Sequence, residues 1–144
     1  HIGAWVKLTV LRQYATICEC DPGSGTRFNF RVRNNGNAPL FYLAQTAGAL
    51  VVSGPANSTG TTGVWKYICC QRIGNIYTVY VNGVAGTPVT YTPNFALNAT
   101  RAFEIGHYGV TYDIAFSLGG YLQNFEISRP GTLLDVTGGK MPLR

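Results

Sequence analysis

The stretch "VWKYICCQRIGNIYTVYVNG", residues 64–83, carries the strongest structural signal in the sequence. Its alternating residues predict two strands, at 64–72 and 76–82, joined by a turn at "IGN", residues 73–75. The segment closes on Asn82-Gly83, a pair typical of tight turns because both residues adopt positive φ angles. It therefore predicts an antiparallel hairpin.

Two adjacent cysteines, Cys69 and Cys70, lie in the first strand of this hairpin. Successive residues of a strand point to opposite faces of the sheet, so the two thiols cannot bind one ion together. Cysteine is among the residue types most often buried, and we interpret both, like Cys18, as packing residues. A disulfide from Cys18 or Cys20 to Cys69 or Cys70 stays open, because sequence does not fix connectivity.

Similar alternation recurs along the rest of the chain. In "RFNFRVR", residues 27–33, it predicts Phe28, Phe30 and Val32 on a core face and the polar residues on a solvated face. The turn "NNGN", residues 34–37, leads to a strand at 38–45. Further strands are predicted near 3–11, 14–20, 48–53, 87–91, 102–106 and 119–128. Short strands without helical periodicity predict an all-β sandwich or barrel.

Length and composition set further bounds. At 144 residues, we expect one domain, residues 1–144, with residues 131–144 as a C-terminal extension. Charged residues make up 12%, against roughly 25% in an average soluble domain, which suits a surface covered by neighbours. The net charge of +5 favours anionic partners such as acidic polysaccharide. We expect no membrane insertion, and a chain starting at His1 is expected to be processed or to lack flanking residues.

Four segments resemble the laminin G-like branch of the concanavalin A-like lectin and glucanase superfamily. Residues 3–37 resemble its opening strands, and residues 64–83 resemble its hairpin through Trp65, Gly74-Asn75 and the "YVNG" ending. Residues 102–109 and 119–131 resemble its closing strands, although Gln123 and Asn124 stand where the family often has Asp and Glu. The resemblance implies an all-β, antiparallel two-sheet jelly-roll sandwich. That fold hosts lectins, adhesion modules, hydrolases and structural subunits, so the function needs separate evidence.

The acidic residues give little support for catalysis. Glycoside cleavage needs two carboxylates facing each other across the sugar. Only Glu19 and Asp21 have a strand-like i, i+2 spacing, and they run into a loop. His107 is the one non-terminal histidine, and no Gly-x-Ser-x-Gly motif is present. We therefore predict that the protein is not an enzyme and name no catalytic residue.

Metal and cofactor sites are not expected either. Calcium needs six to eight oxygen ligands, several from carboxylates, and the acids here are few and unclustered. The spacings of Cys18 with Cys20 and of Cys69 with Cys70 do not match zinc sites. We predict no metal and no cofactor.

Two groups of residues are candidate ligand-binding sites. His107, Tyr108, Tyr112 and Asp113 could form a glycan-binding rim, because aromatic faces stack on sugar rings and Asp accepts hydrogen bonds from hydroxyls. The alternative is a loop histidine with local hydrogen bonds. Separately, Arg27, Arg31 and Arg33 could form a cationic stripe for phosphate or sulfated sugar, the alternative being a solvated strand face.

These observations predict a non-catalytic surface recognition and assembly module. We expect it to be glycan-binding or adhesive, in a virion (phage fibre or capsid decoration) or cell envelope, and located extracellularly, on a cell surface or on a virion. The predicted partners are cell-surface or acidic polysaccharide and neighbouring subunits of an oligomer, with no nucleic acid. One alternative is a purely structural virion or envelope subunit without a ligand, and a more distant one is a glycoside hydrolase.

Overall fold

The computed structural model describes residues 1–20, 27–33, 37–45, 48–93, 103–107 and 114–128. These residues form strands β1 (Ile2–Leu8), β2 (Thr16–Cys20), β3 (Arg27–Arg31), β4 (Leu40–Gln45), β5 (Gly48–Ser53), β6 (Trp65–Ile73), β7 (Ile76–Val81), β8 (Val84–Ala85), β9 (Val89–Thr90), β10 (Glu104–Ile105) and β11 (Gly120–Ile127). A 3-10 turn, Ile114–Phe116, precedes β11. No helix in this part of the chain is long and apolar enough to cross a membrane.

The strands form two antiparallel sheets. A six-stranded sheet has the order β11-β1-β6-β7-β8, with β9 also paired to β7, and a five-stranded sheet has the order β10-β2-β3-β4-β5. The first and last described strands are neighbours in the six-stranded sheet, so the fold closes on itself through β1 and β11. The predicted all-β, two-sheet jelly-roll sandwich is confirmed.

The core lies between the two sheets and follows the alternation of the strands. From β1, Ala4, Val6 and Leu8 are buried in it, and the five-stranded sheet contributes aromatic and aliphatic side chains opposite. Burial of such side chains away from water is the main favourable term in folding. The predicted core residues Phe28, Phe30 and Val32 are all buried.

The outer face of β3 differs from the prediction at one position. Asn29 was expected on a solvated face, yet it is only 3% exposed, and Glu19 opposite it on β2 is 2% exposed. Asn29 Nδ2 donates a hydrogen bond to Glu19 Oε2 at 3.3 Å. Polar side chains tolerate such burial when they are hydrogen-bonded, which alternation along one strand does not reveal.

The hairpin of β6 and β7 has its predicted turns. Ile73 pairs with Ile76 across Gly74, which has φ +59°, and Asn82 and Gly83 have φ values of 49° and 83°. The two-residue strand β8, which follows Asn82-Gly83, was not predicted. Residues 131–144 lie outside the described part of the chain.

All four cysteines are buried free thiols, so none of the disulfides left open by the sequence is present. Cys70 belongs to the core, whereas Cys69 pairs with Gly3 and Tyr80 on the opposite face of the sheet. Burial raises the pKa of the Cys69 thiol to about 12, with the Glu126 carboxylate as a second cause. Burial likewise raises the pKa values of Cys18 and Cys70. The interpretation of these cysteines as packing residues agrees with this placement.

Candidate functional site

The outer side of the six-stranded sheet carries four aromatic residues and a lysine that together we call the aromatic face: Trp5, Lys7, Trp65, Tyr67 and Tyr121. Because Ala4, Val6 and Leu8 face the core, the alternate residues of β1 point outward. Strand pairing then places Lys7 directly between Trp65 on β6 and Tyr121 on β11. At the next outward-facing residue of β1, two residues before Lys7, Trp5 pairs with Tyr67.

The outer end of the aromatic face is open to solvent. Trp65 is 37% exposed and Tyr121 is 58% exposed. The Lys7 Nζ atom lies 5.5 Å from the Trp65 ring centroid and 5.3 Å from that of Tyr121. Both distances fall within the range of cation–π attraction, which holds the two rings on either side of one positive charge.

The middle of the aromatic face is more enclosed. The rings of Trp5 and Tyr67 are 5.7 Å apart at an interplanar angle of 51°. Gln123 pairs with Trp5 from β11 and is exposed. Trp5 Nε1 is buried and has no hydrogen-bond partner among the described residues. This row therefore offers apolar ring surface with the Gln123 amide at its edge.

The inner end of the aromatic face is a hydrogen-bonded cluster of Tyr67, Glu126 and His1. Tyr67 Oη donates to Glu126 Oε1, and His1 Nε2 lies 3.0 Å from Tyr67 Oη and 3.1 Å from Glu126 Oε1. Gly3 lies beneath this cluster, and a Cβ there would be 2.7 Å from Tyr67 Oη. The absence of a side chain at Gly3 thus lets the three groups converge.

Burial is the main reason that the pKa of Tyr67 is raised, and its hydrogen bond to Glu126 adds to the effect. The phenol therefore keeps its proton at neutral pH and acts as a donor rather than as a nucleophile. A carboxylate can only accept, so His1 Nε2 donates when it bonds to Glu126. The cluster orients side chains and does not resemble an activated catalytic centre.

The predicted rim is described only at His107. His107 is half-buried, and its Nδ1 lies 3.2 Å from Glu104 Oε2. Tyr108, Tyr112 and Asp113 lie outside the described residues, so the glycan-binding rim stays a prediction.

The three arginines of the predicted cationic stripe have different surroundings. The Arg27 Cζ atom lies 5.6 Å from the Tyr42 ring, and the Arg31 Cζ atom lies 5.1 Å from the Tyr14 ring. Arg33 follows β3 and donates to the Arg12 carbonyl oxygen at 3.1 Å and to Asn37 Oδ1 at 2.9 Å. Arg27 and Arg31 share the outer side of β3, whereas Arg33 is held by loop groups. Anion binding by these residues stays a prediction.

Of the two carboxylates whose spacing the sequence analysis considered, Glu19 is the one that the structure describes. Glu19 pairs with Glu104 on β10, and Asp21 lies outside the described residues. Among the residues with described positions, no group of three or more His, Cys, Asp or Glu side chains could hold a metal ion.

A family model described as "Concanavalin A-like lectin/glucanases superfamily" matches residues 2–129 of the chain. The chain belongs to the laminin G-like branch of this superfamily. No curated protein matches the sequence.

Solved structures that resemble this laminin G-like chain include the following two. One is the mouse laminin alpha1 chain, domains LG4-5, with a TM-score of 0.59 and 16% identity over 78% of this chain. This chain covers only 29% of that laminin structure. The other is the carbohydrate binding module CBM66 from Bacillus subtilis, with a TM-score of 0.47 and 8% identity, over 64% of this chain and 58% of the module. The laminin likeness supports the fold alone.

Sequence reasoning did not identify the aromatic face as a site. Trp65 marks the hairpin that resembles the family, whereas Trp5, Lys7 and Tyr121 lie within the segments that resemble its opening and closing strands. A usable signal was the outward register of Trp5 and Lys7 on a strand whose other residues are apolar. The pairing of Lys7 with Trp65 and Tyr121 follows only from the order of the strands, which the sequence does not give.

Proposed function

We propose that this laminin G-like chain is a non-catalytic glycan-binding module whose binding surface is the aromatic face. The observation that carries the proposal is the pair of exposed rings, Trp65 and Tyr121, on either side of Lys7. An aromatic ring presents a large apolar surface that can cover the apolar face of a sugar ring, while nearby polar groups bond to hydroxyls. Gln123 and Glu126 supply such groups on the same side of the sheet.

The chemistry of the aromatic face favours binding over cleavage. A glycosidase needs two carboxyl groups, about 5–9.5 Å apart, on either side of the scissile bond. Among the described residues, Glu126 is the one carboxylate that contacts the aromatic face, and it accepts the Tyr67 hydrogen bond. Membership of a lectin and glucanase superfamily is compatible with either activity, so the preference for binding over cleavage comes from these side chains.

The positive charge of Lys7, at the outer end of the aromatic face, favours an acidic glycan. Lys7 and the net charge of +5 would both attract a uronic acid or a sulfated sugar. The corresponding partner is a cell-surface or acidic polysaccharide, and the corresponding location is extracellular, on a cell surface or on a virion. Within an envelope or virion assembly, neighbouring subunits are the second class of partner that we propose.

Binding can be tested with a glycan array followed by titration calorimetry against acidic and neutral polysaccharides. We expect Trp65→Ala and Tyr121→Ala each to weaken binding about tenfold, because each removes one stacking surface. Lys7→Gln is expected to weaken binding of acidic glycans more than of neutral ones. Tyr42→Ala, which removes a half-buried ring from the five-stranded sheet, is the matched control and should have no effect.

Variants at the two other candidate sites separate this proposal from its competitors. If Tyr112→Ala abolishes binding and Trp65→Ala does not, the predicted loop rim is the site and the aromatic face is not. If Arg27→Gln and Arg31→Gln abolish binding and Trp65→Ala does not, the cationic stripe is the site. A stable oligomer in sedimentation experiments, with no binding to any glycan, would instead support the purely structural subunit.

A further inference from the structure

A cavity of about 240 Å³ lies between the two sheets, and its lining includes Ser128 and His1, the latter also part of the cluster at the inner end of the aromatic face. The six-stranded sheet contributes Ile2, Cys70, Arg72, Tyr77 and Ile127 to its lining. The five-stranded sheet contributes Phe28 and Phe41, and Phe103 just before β10 completes that side. An apolar cavity of about 150 Å³ is already large enough to bind benzene, so this one can hold a substituted ring.

The aromatic residues of the cavity form a connected cluster. The Phe28 ring lies 6.3 Å from Phe41 and 5.6 Å from Phe103, and Phe41 lies 6.1 Å from Tyr77. These centroid distances fall within the 4.5–7 Å range over which aromatic pairs attract each other. A planar ring entering the cavity would meet these ring faces and edges as well as the side chains of Ile2 and Ile127.

Arg72 adds one positive charge to this apolar lining. Its Nε donates to the Gly74 carbonyl oxygen at 2.7 Å, its Nη2 lies 3.4 Å from Asn75 Oδ1, and its Cζ lies 5.3 Å from the Tyr77 ring. A guanidinium has five N–H donors, so these contacts leave donors for a ligand. Within the described ranges, no carboxylate pairs with Arg72. A planar carboxylate is the group that a guanidinium binds best, through two parallel hydrogen bonds.

We propose that this cavity binds a small aryl carboxylate, with its ring among the four aromatic residues and its carboxylate on Arg72. Among the described residues, the cavity shares His1 with the glycan-binding surface proposed above. Arg72, Ile127 and Phe103 line the cavity and do not belong to that surface, so their variants test the cavity independently. The neutral and cationic analogues of the same ring distinguish recognition of the carboxylate from simple burial of an apolar group.

The experiment is titration calorimetry of the full chain with 4-ethylbenzoate, 4-ethylbenzyl alcohol and 4-ethylbenzylamine. We expect saturable one-to-one binding, with the carboxylate bound about tenfold more tightly than the alcohol and the amine weakest. Arg72→Gln should remove the preference for the carboxylate and leave binding of the alcohol unchanged. Arg27→Gln, which changes an arginine outside the cavity, should leave the preference intact.

A second pair of variants tests the location. Ile127 is 60% exposed and lines the cavity, so Ile127→Trp should block it and abolish binding of all three probes. Ile73→Trp, at a similarly exposed isoleucine outside the cavity, should not. If Ile127→Trp does not fold, as judged by circular dichroism, Phe103→Ala should weaken all three probes instead. The proposal is overturned if no probe binds the folded wild-type chain, if Arg27→Gln acts like Arg72→Gln, or if neither Ile127→Trp nor Phe103→Ala reduces binding.

Discussion

At the inner end of the aromatic face, the side chain of Tyr67 links strand β6 to Glu126 on β11 and to His1. Its hydroxyl donates to the Glu126 carboxylate and contacts His1. We expect Tyr67→Phe to lower the free energy of unfolding by about 1–3 kcal/mol, because a hydrogen bond to a charged acceptor is lost in a partly buried site. Urea denaturation at neutral pH measures this difference.

Tyr80→Phe is the control for this substitution. Tyr80 is also half-buried and lies on the same side of the sheet, opposite Cys69, but its hydroxyl makes no hydrogen bond to another described residue. Its loss should therefore change the stability little. Equal losses from the two substitutions would contradict a special role for the Tyr67 cluster.

Individual buried residues show where a one-strand pattern is sufficient and where it is not. Alternation placed Cys69 and Cys70 on opposite faces, and the pairing of Cys69 with Gly3 and of Cys70 with Ile2 confirms this. Alternation also placed Asn29 in solvent, which was wrong, because Glu19 on the neighbouring strand lies beside it in the buried layer. The environment of an outward residue depends on its cross-strand neighbours, which the sequence of one strand does not specify.

The turn between β7 and β8 depends on the side chain of Asn82. Asn82 has φ +49°, a conformation that costs most L-residues roughly 1–2 kcal/mol, and its Oδ1 accepts a hydrogen bond from the Tyr67 backbone N–H at 2.8 Å. We expect Asn82→Ala to lower the free energy of unfolding by about 1–3 kcal/mol, because alanine tolerates the positive φ less well and cannot accept the Tyr67 hydrogen bond. Asn82→Gly keeps the backbone freedom and loses only the hydrogen bond, so it should cost less. Thermal and urea unfolding of both variants would measure this difference in stability. Equal losses of unfolding free energy in the two variants would mean that the backbone conformation contributes nothing.

At the level of elements, turn residues and alternation were the informative signals. Predicted strands at 27–33, 48–53 and 64–72 correspond to β3, β5 and β6 within two residues at each end. Strand β8 was missed because a two-residue strand has no periodicity to detect. Strand order was not available from these patterns, since pairing between distant segments depends on packing of the whole sandwich. The family resemblance, rather than propensity, gave the jelly-roll arrangement.

The binding surfaces belong to the whole molecule rather than to any one segment. The aromatic face combines residues from the first, sixth and eleventh strands, and the cavity combines both sheets. Sequence reasoning instead favoured contiguous motifs, at 106–113 and 27–33, because neighbours along the chain are visible without a structure. Each prediction about these surfaces therefore depends on the fold as well as on the residues.

Buried titratable groups across the molecule predict sensitivity to alkaline pH. Burial raises the pKa of Cys69 from 9.0 to about 12, and it raises those of Cys18, Cys70 and Tyr67 as well. In the unfolded chain these groups lose their protons first, so from about pH 9 upward the unfolded state binds fewer protons than the folded state. Their stabilising contribution is complete below pH 9 and is lost as the pH rises toward 12 for Cys69.

We therefore expect the free energy of unfolding to fall above pH 9, by up to about 1.4 kcal/mol per pH unit for each such group. Urea denaturation under reducing conditions between pH 7 and pH 11 measures this slope. Cys69→Ala creates a small cavity and lowers the stability at every pH, but it also removes one of the titrating groups. Its slope above pH 9 should consequently be shallower than that of the wild type by the contribution of one group. An unchanged slope would show that the Cys69 thiol ionises equally readily in the folded and unfolded chains, and that its burial does not protect its proton.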